Sequence, residues 1–219
     1  MKFHTIIWDM DGVLVDSERH WDQLDSFFLE DIVPQWDQFD EDLLTGRSIK
    51  DIHDMLSADY GLEMDFESYV DHYNKVARKI YGEKADLMPY ARETLSAIAE
   101  LGARQALASS SYHTWIGYAM QQFEIRDYFD KIISAEDVDG RGKPAPDIYL
   151  EALRQLNIEP DDALVVEDSA VGVQAAKAAG LTVVGYQSAI NDQNLDSAHT
   201  TVSDLRQVSA LLESGVPVE

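Results

Sequence analysis

Two aspartates near the start of the chain have the spacing of a phosphoryl-transfer site. Asp9 and Asp11 follow the apolar run from Phe3 to Trp8, which predicts a buried strand ending beside both carboxylates. An aspartate in that place can attack an electrophile, and a second carboxylate two residues further on can act as general acid and base. A nearby cation must suppress the repulsion between the two charges.

The same pattern has less specific explanations. Asp-x-Asp-Gly also occurs in surface turns and in calcium-binding loops. A calcium loop is excluded because Val13, Leu14 and Val15 follow the glycine, where further oxygen ligands are required. A plain strand-to-turn junction is not excluded by the pair alone, so the rest of the chain has to decide.

Three later segments carry side chains that complement the two aspartates. One apolar run leads into Ser109 and Ser110, another leads into Glu167 and Asp168, and Lys143 lies between them in Gly-Lys-Pro-Ala-Pro-Asp. This ordered set resembles the haloacid dehalogenase superfamily, whose motifs are a nucleophile Asp-x-Asp, a hydroxyl, a lysine and an acidic pair. Within it the sequence is most similar to the β-phosphoglucomutase-like subgroup.

The resemblance implies a role for each matching residue. Asp9 would attack phosphorus and form an aspartyl phosphate, while Asp11 would protonate the departing alkoxide and then deprotonate water. Ser109 and the backbone amides around Ser110 would hold the phosphoryl oxygens, and Lys143 would neutralise charge in the transition state.

The resemblance also implies a Mg²⁺ cofactor. Its ligands would be Asp9, Asp168 and the backbone carbonyl of Asp11, because hard oxygens suit this ion. As a metal ligand Glu167 ranks below Asp168, because it would either bind the metal directly or orient a water bound to the metal.

Departures from the subgroup favour hydrolysis over a mutase reaction. The mutases carry Lys-Gly-x-Ser-Arg where this chain has Thr-Gly-Arg-Ser-Ile around Arg47, and an asparagine where it has His113. Arg47 either projects toward the leaving group or is a solvated residue beside an N-capping Ser48. A mutase must hold a second phosphate, so we expect a phosphatase for a small phosphorylated metabolite, with sugar phosphates first. Phosphoglucomutase-type transfer and a catalytically silent binding protein remain alternatives.

Composition limits the partners. The chain has 17 Lys and Arg against 41 Asp and Glu, a formal net charge of −24, and no cysteine. Such a surface repels nucleic acids, and thiol nucleophiles and disulfides are excluded. With no signal-peptide pattern and no membrane-length apolar stretch, we expect a cytoplasmic protein without membrane partners. Oligomeric state is open, with a monomer as the default.

Periodicity indicates the elements that must position these residues. Residues 17–88 show helical stripes and no strand pattern, which predicts an inserted helical cap domain. From Pro89 strands and helices alternate, so residues 1–16 and 89–219 are predicted to form a Rossmann-like α/β core, a parallel sheet with helices on both faces. Tyr90 stands where the family often has glycine at the second linker. Ligands of such sheets bind at the carboxyl ends of the strands.

Overall fold

The computed structural model describes residues 2–21, 29–30, 32–35, 49–138 and 141–216. In these ranges the strands are β1 (Thr5–Trp8), β2 (Val15–Asp16), β3 (Asp86–Leu87), β4 (Arg104–Ser109), β5 (Lys131–Ser134), β6 (Ala163–Glu167), β7 (Thr182–Tyr186) and β8 (Thr200–Val202). The α-helices are α1 (Ile49–Asp59), α2 (Phe66–Lys79), α3 (Ala91–Glu100), α4 (His113–Phe123), α5 (Asp147–Leu156), α6 (Ala170–Ala178) and α7 (Gln207–Ser214).

Six strands form one parallel sheet in the order β5-β4-β1-β6-β7-β8. The chain builds outward from β1 on one side through β4 and β5, then returns to the other side with β6. Strand order therefore reverses at β1, and the crevice at the carboxyl ends of β1, β4 and β6 is where such folds bind ligands. The predicted α/β fold is confirmed.

The sheet is buried on both faces, as its apolar strands require. In β1, Ile6 and Trp8 pack into one hydrophobic core and Ile7 into the other. Residues of α3, α4 and α7 join the first core, and residues of α5 and α6 join the second. The alternation along β1 thus fixes the strand between two helical layers and fixes where Asp9 leaves the sheet.

A short antiparallel ribbon joins the start and the end of the segment predicted to be a cap. In it β2 pairs with β3, with Val15 opposite Leu87 and Asp16 opposite Asp86. The expectation of no strand between residues 17 and 88 was therefore wrong for β3, which is too short to produce a periodic pattern. This segment contains α1 and α2, and the division into core and cap stays a prediction.

Tyr90 adopts the left-handed conformation that favours glycine, with φ of 65°. Its ring lies under Arg206, whose guanidinium carbon is 3.6 Å from the ring centroid. The position therefore has the backbone geometry of the missing glycine, and the stacked arginine is a contact that glycine would lack.

None of the helices that the structure describes is long and apolar enough to cross a membrane.

Candidate active site

The carboxyl ends of β1, β4 and β6 bring together residues from distant parts of the sequence. The backbone N–H of Asp9 donates to the carbonyl of Val166 at 3.0 Å, so the residue after β1 is fixed against β6. Ser109 is the last residue of β4, and Glu167 is the last residue of β6. Asp9, Ser109 and Glu167 are all buried.

Lys143 connects two of the buried carboxylates. Its Nζ lies 2.5 Å from Asp9 Oδ1 and 2.5 Å from Glu167 Oε1, and only 7% of its side chain is exposed. A lysine this deeply buried needs ionic partners. The predicted lysine is thus in contact with the predicted nucleophile.

Glu167 is held by more donors than Lys143 alone. Tyr149 on α5 donates its hydroxyl to Oε1 at 2.7 Å. The backbone N–H groups of Asp168 and Ser169 and the Ser169 hydroxyl donate to Oε2 at 3.1, 3.2 and 3.0 Å. A Cβ at Gly172 would lie 1.9 Å from Oε1, so the first turn of α6 leaves room for this carboxylate only because that residue is glycine.

Asp168 faces Gly12, which begins the turn directly after Asp11. Gly12 has φ of +76°, and a Cβ there would lie 1.9 Å from Asp168 Oδ2. Asp9, Glu167 and Asp168 each offer an oxygen within 4.8 Å of the others, all three being buried. This set of hard oxygen donors could hold a metal ion.

The electrostatics of the cluster also fit a cation. Burial raises the pKa of Asp9 to about 8, outweighing the nearby Lys143 charge, and burial together with the charge of Asp9 raises the pKa of Asp168 to about 10. Burial also disfavours ionised Glu167, but the Lys143 charge and hydrogen bonds lower its pKa. One ammonium cannot balance three ionised carboxylates, so ionisation of Asp9 and Asp168 needs further positive charge, which a divalent cation would supply.

Asp11 lies outside this charged cluster and is surrounded by hydroxyl groups. Its Oδ1 accepts from Tyr81 at 2.7 Å and from Ser17. Its Oδ2 accepts from Ser111 at 3.0 Å and, at 3.5 Å, from Ser109. The carboxylate is thus oriented from both sides by neutral donors.

Tyr81 reaches Asp11 from the segment that follows α2. It lies in a π-helical turn, Ile80–Lys84, and is fully buried. Burial and the charge of Asp11 raise the pKa of Tyr81 well above its usual value, so the hydroxyl keeps its proton and remains a donor.

The predicted site residues divide into those brought together and those that are not. Six of them come together at the carboxyl ends of β1, β4 and β6: Asp9, Asp11, Ser109, Lys143, Glu167 and Asp168. Ser110 follows β4 and is exposed, which leaves it accessible to a ligand. Arg47 and Ser48 lie outside the described residues.

Sequence reasoning missed Tyr81, Tyr149, Ser17 and Ser111 as partners of the acidic side chains. Ser111 stands in the run that supplied Ser109 and Ser110, and Tyr149 stands on α5 just after the lysine motif. Both could have been found by extending those motifs. Tyr81 has no such signal, since 70 residues separate it from Asp11.

Residues 6–186 match the sequence model of the haloacid dehalogenase-like hydrolases. The chain belongs to this family. The resemblance drawn from the four motifs and the prediction of a hydrolase are confirmed.

Named relatives of similar length are phosphatases. The chain is 27% identical to the phosphorylated carbohydrates phosphatase of Thermotoga maritima, over 86% of this chain and 87% of the relative. It is also 27% identical to hexitol phosphatase B of Escherichia coli, over 93% of each chain. The crystal structure of CbbY from Rhodobacter sphaeroides in complex with xylulose-1,5-bisphosphate superposes with a TM-score of 0.80 at 22% identity, covering 94% of this chain and 96% of that chain. The last similarity supports the fold alone.

Proposed function

We propose that the protein is a Mg²⁺-dependent phosphatase that hydrolyses a small phosphomonoester. The favoured substrate class is sugar phosphates. Membership of the hydrolase family and relatives named for phosphorylated carbohydrates and hexitols support the substrate class. The observation that carries the proposal is the contrast between two neighbouring carboxylates, Asp9 beside Lys143 and Asp11 among hydroxyls.

In the first step, an Asp9 oxygen attacks phosphorus and the bond from phosphorus to the ester oxygen breaks. The departing alkoxide takes a proton from Asp11, and an aspartyl phosphate remains on Asp9. Lys143, 2.5 Å from Asp9 Oδ1, is placed to neutralise charge on the phosphoryl oxygens. The exposed Ser110 and the backbone around it would bind those oxygens.

In the second step, water attacks the same phosphorus and gives its proton to Asp11. The acyl phosphate bond breaks, phosphate leaves and Asp9 is regenerated as a carboxylate. Asp11 thus acts as the acid in the first step and as the base in the second.

Mg²⁺ would be held by Asp9, Asp168 and the carbonyl of Asp11. When bound it would supply positive charge that neutralises the ionised carboxylates and polarises the phosphoryl group. Glu167 is assigned to positioning, since Lys143, Tyr149 and Ser169 together with two backbone N–H groups already occupy its oxygens. A cytoplasmic location and a monomeric state complete the proposal.

The test is release of inorganic phosphate and identification of products across a panel of hexose, pentose and hexitol phosphates that includes β-glucose 1-phosphate, with and without Mg²⁺. Asp9→Asn is the control, because the amide is nearly isosteric with the carboxylate but a poor nucleophile. We expect free phosphate only from the wild type with Mg²⁺, and a loss of about 10⁴-fold or more in Asp9→Asn.

Other products would contradict the proposal in distinguishable ways. Glucose 6-phosphate formed without free phosphate would identify a mutase. Absence of turnover on the whole panel would favour a silent binding protein on the same scaffold, and wild-type activity in Asp9→Asn would refute the nucleophile.

A further inference from the structure

The hydroxyl of Tyr81 connects a segment outside the sheet to the acid–base carboxylate. It donates to Asp11 Oδ1 at 2.7 Å, accepts from the indole N–H of Trp21 at 3.3 Å, and lies 3.3 Å from the Ser111 hydroxyl. Tyr81 itself is 0% exposed. A buried phenol with this set of partners is held in one place.

Tyr81 differs from the serines that also bind Asp11. Rotation about χ1 swings a serine oxygen through a wide arc, whereas the phenol oxygen lies on the ring axis and does not move when the ring turns. The ring is also enclosed: it meets Trp21 edge-on, with centroids 6.2 Å apart and planes at 69°. The Tyr81 oxygen therefore keeps its place when its ring rotates, whereas a serine oxygen moves when χ1 changes.

We propose that Tyr81 is a positioning residue for the acid–base step, its hydroxyl holding the Asp11 carboxylate in the rotamer that reaches the ester oxygen. The inference rests on the proposed phosphatase function and deepens it. Because Tyr81 belongs to the segment after α2 while Asp11 follows β1, the bond also makes the orientation of Asp11 depend on how that segment sits against the sheet.

Tyr81→Phe tests this, because it keeps the buried ring and removes the hydroxyl. The readout is kcat/KM for two substrates, a hexose 6-phosphate and p-nitrophenyl phosphate. This parameter covers only the steps up to departure of the leaving group, and p-nitrophenolate departs without a proton whereas an alkoxide needs one from Asp11. We expect kcat/KM to fall about 10- to 100-fold for the alkyl ester and about threefold at most for the aryl ester.

Tyr73→Phe is the matched control. Tyr73 is a buried tyrosine of the same aromatic cluster, its ring centroid 6.2 Å from that of Trp21, and its hydroxyl lies 3.4 Å from that of Tyr69. We expect it to leave the ratio of the two kcat/KM values unchanged. Both substrates are measured on one preparation, so any loss of folded protein lowers both values equally and cancels in the ratio.

A second variant guards against failure of Tyr81→Phe to fold. Trp21→Phe removes the indole N–H that the Tyr81 hydroxyl accepts and keeps an aromatic ring, so the ratio should shift in the same direction by a smaller factor. An equal fall for both substrates, or no fall in either variant, would overturn the positioning role while leaving the phosphatase intact. A wild type that releases no phosphate would instead refute the proposed function, and the inference with it.

Discussion

Asp9 and Asp11 are separated by one residue but have different surroundings. Asp9 is buried beside one lysine and two further carboxylates, so that one positive side chain serves three acidic groups. Asp11 is surrounded by neutral hydroxyls. The difference indicates a division of labour: the first site binds and balances charge, and the second holds one carboxylate in a fixed orientation.

The two environments also differ in how they tolerate change. A buried charge that loses its partner is strongly destabilising, because no other group can replace the lost ionic contact. Hydroxyl groups can donate or accept, so they adapt to a new neighbour by rotating a hydrogen. Substitutions in the two sites should therefore separate stability from activity.

Among the changes that test this comparison, Lys143→Met should have the largest effect. Removing the ammonium leaves Asp9 and Glu167 without the cation that lies 2.5 Å from each. We expect kcat to fall about 10³-fold, and the free energy of unfolding without metal to fall by about 3 kcal/mol. Urea denaturation and phosphate release measure the two effects, with the exposed Lys131→Met of β5 as the control. A stable and active variant would show that the charged cluster is not organised by Lys143.

Asp11→Asn should affect activity and spare stability. The surrounding hydroxyls can both donate to the amide oxygen and accept from the amide N–H groups. The free energy of unfolding should therefore change by less than about 1 kcal/mol. We expect kcat/KM for an alkyl phosphate to fall about 10²- to 10³-fold. With p-nitrophenyl phosphate, the variant should give a burst of p-nitrophenol stoichiometric with enzyme, since the phosphorylated Asp9 would form but hydrolyse slowly. Absence of the burst, together with full activity on alkyl esters, would remove Asp11 from the acid–base role.

The last prediction concerns how pH and metal change stability. The pKa of Asp9 is raised from 3.8 to about 8, and that of Asp168 is raised to about 10. Between the ordinary and raised values the folded protein binds more protons than the unfolded chain, so the metal-free protein should lose stability as pH rises from about 5 to about 8. Glu167 acts in the opposite sense: its lowered pKa stabilises the fold above the ordinary glutamate pKa, and this contribution is lost only in acid.

Mg²⁺ should oppose this loss, because it binds the ionised carboxylates of the folded state. Thermal unfolding with EDTA and with Mg²⁺ across that pH range measures the difference, at about 2–4 °C in Tm for each kcal/mol. Asp168→Asn should reduce the slope obtained with EDTA. Identical pH profiles with and without Mg²⁺ would argue against a metal at Asp9 and Asp168.

Much of the fold could be predicted because its central elements carry strong local patterns. The apolar runs that lead into Asp9 and Glu167 identified the buried strands β1 and β6. By contrast, β5 and β8 gave no usable signal, since they lie at the two edges of the sheet and carry exposed residues. An edge strand packs against one neighbour only, so its sequence is less constrained.

The site could be predicted where a motif follows a strand and could not be predicted where a contact spans the chain. Four site residues follow apolar runs: Asp9, Ser109, Glu167 and Asp168. Parallel strands bring such positions together, because their carboxyl ends all lie at the same end of the sheet. Gly12 and Gly172 are different: their need for glycine comes from the carboxylates of Asp168 and Glu167, which the backbone geometry places against them. The residues next to each glycine in the sequence do not predict that contact.

The sequence by itself determined the order of the motifs, the parallel α/β architecture and the set of carboxylates, lysine and hydroxyls available for chemistry. These follow from local patterning, because apolar periodicity and strand-end residues are written along the chain. The tertiary structure alone decided which partner each carboxylate receives: Lys143 for Asp9, and Tyr81 for Asp11 from 70 residues away. Those pairings depend on packing between elements distant in sequence, and packing sets the distances on which hydrogen bonds and charge interactions depend.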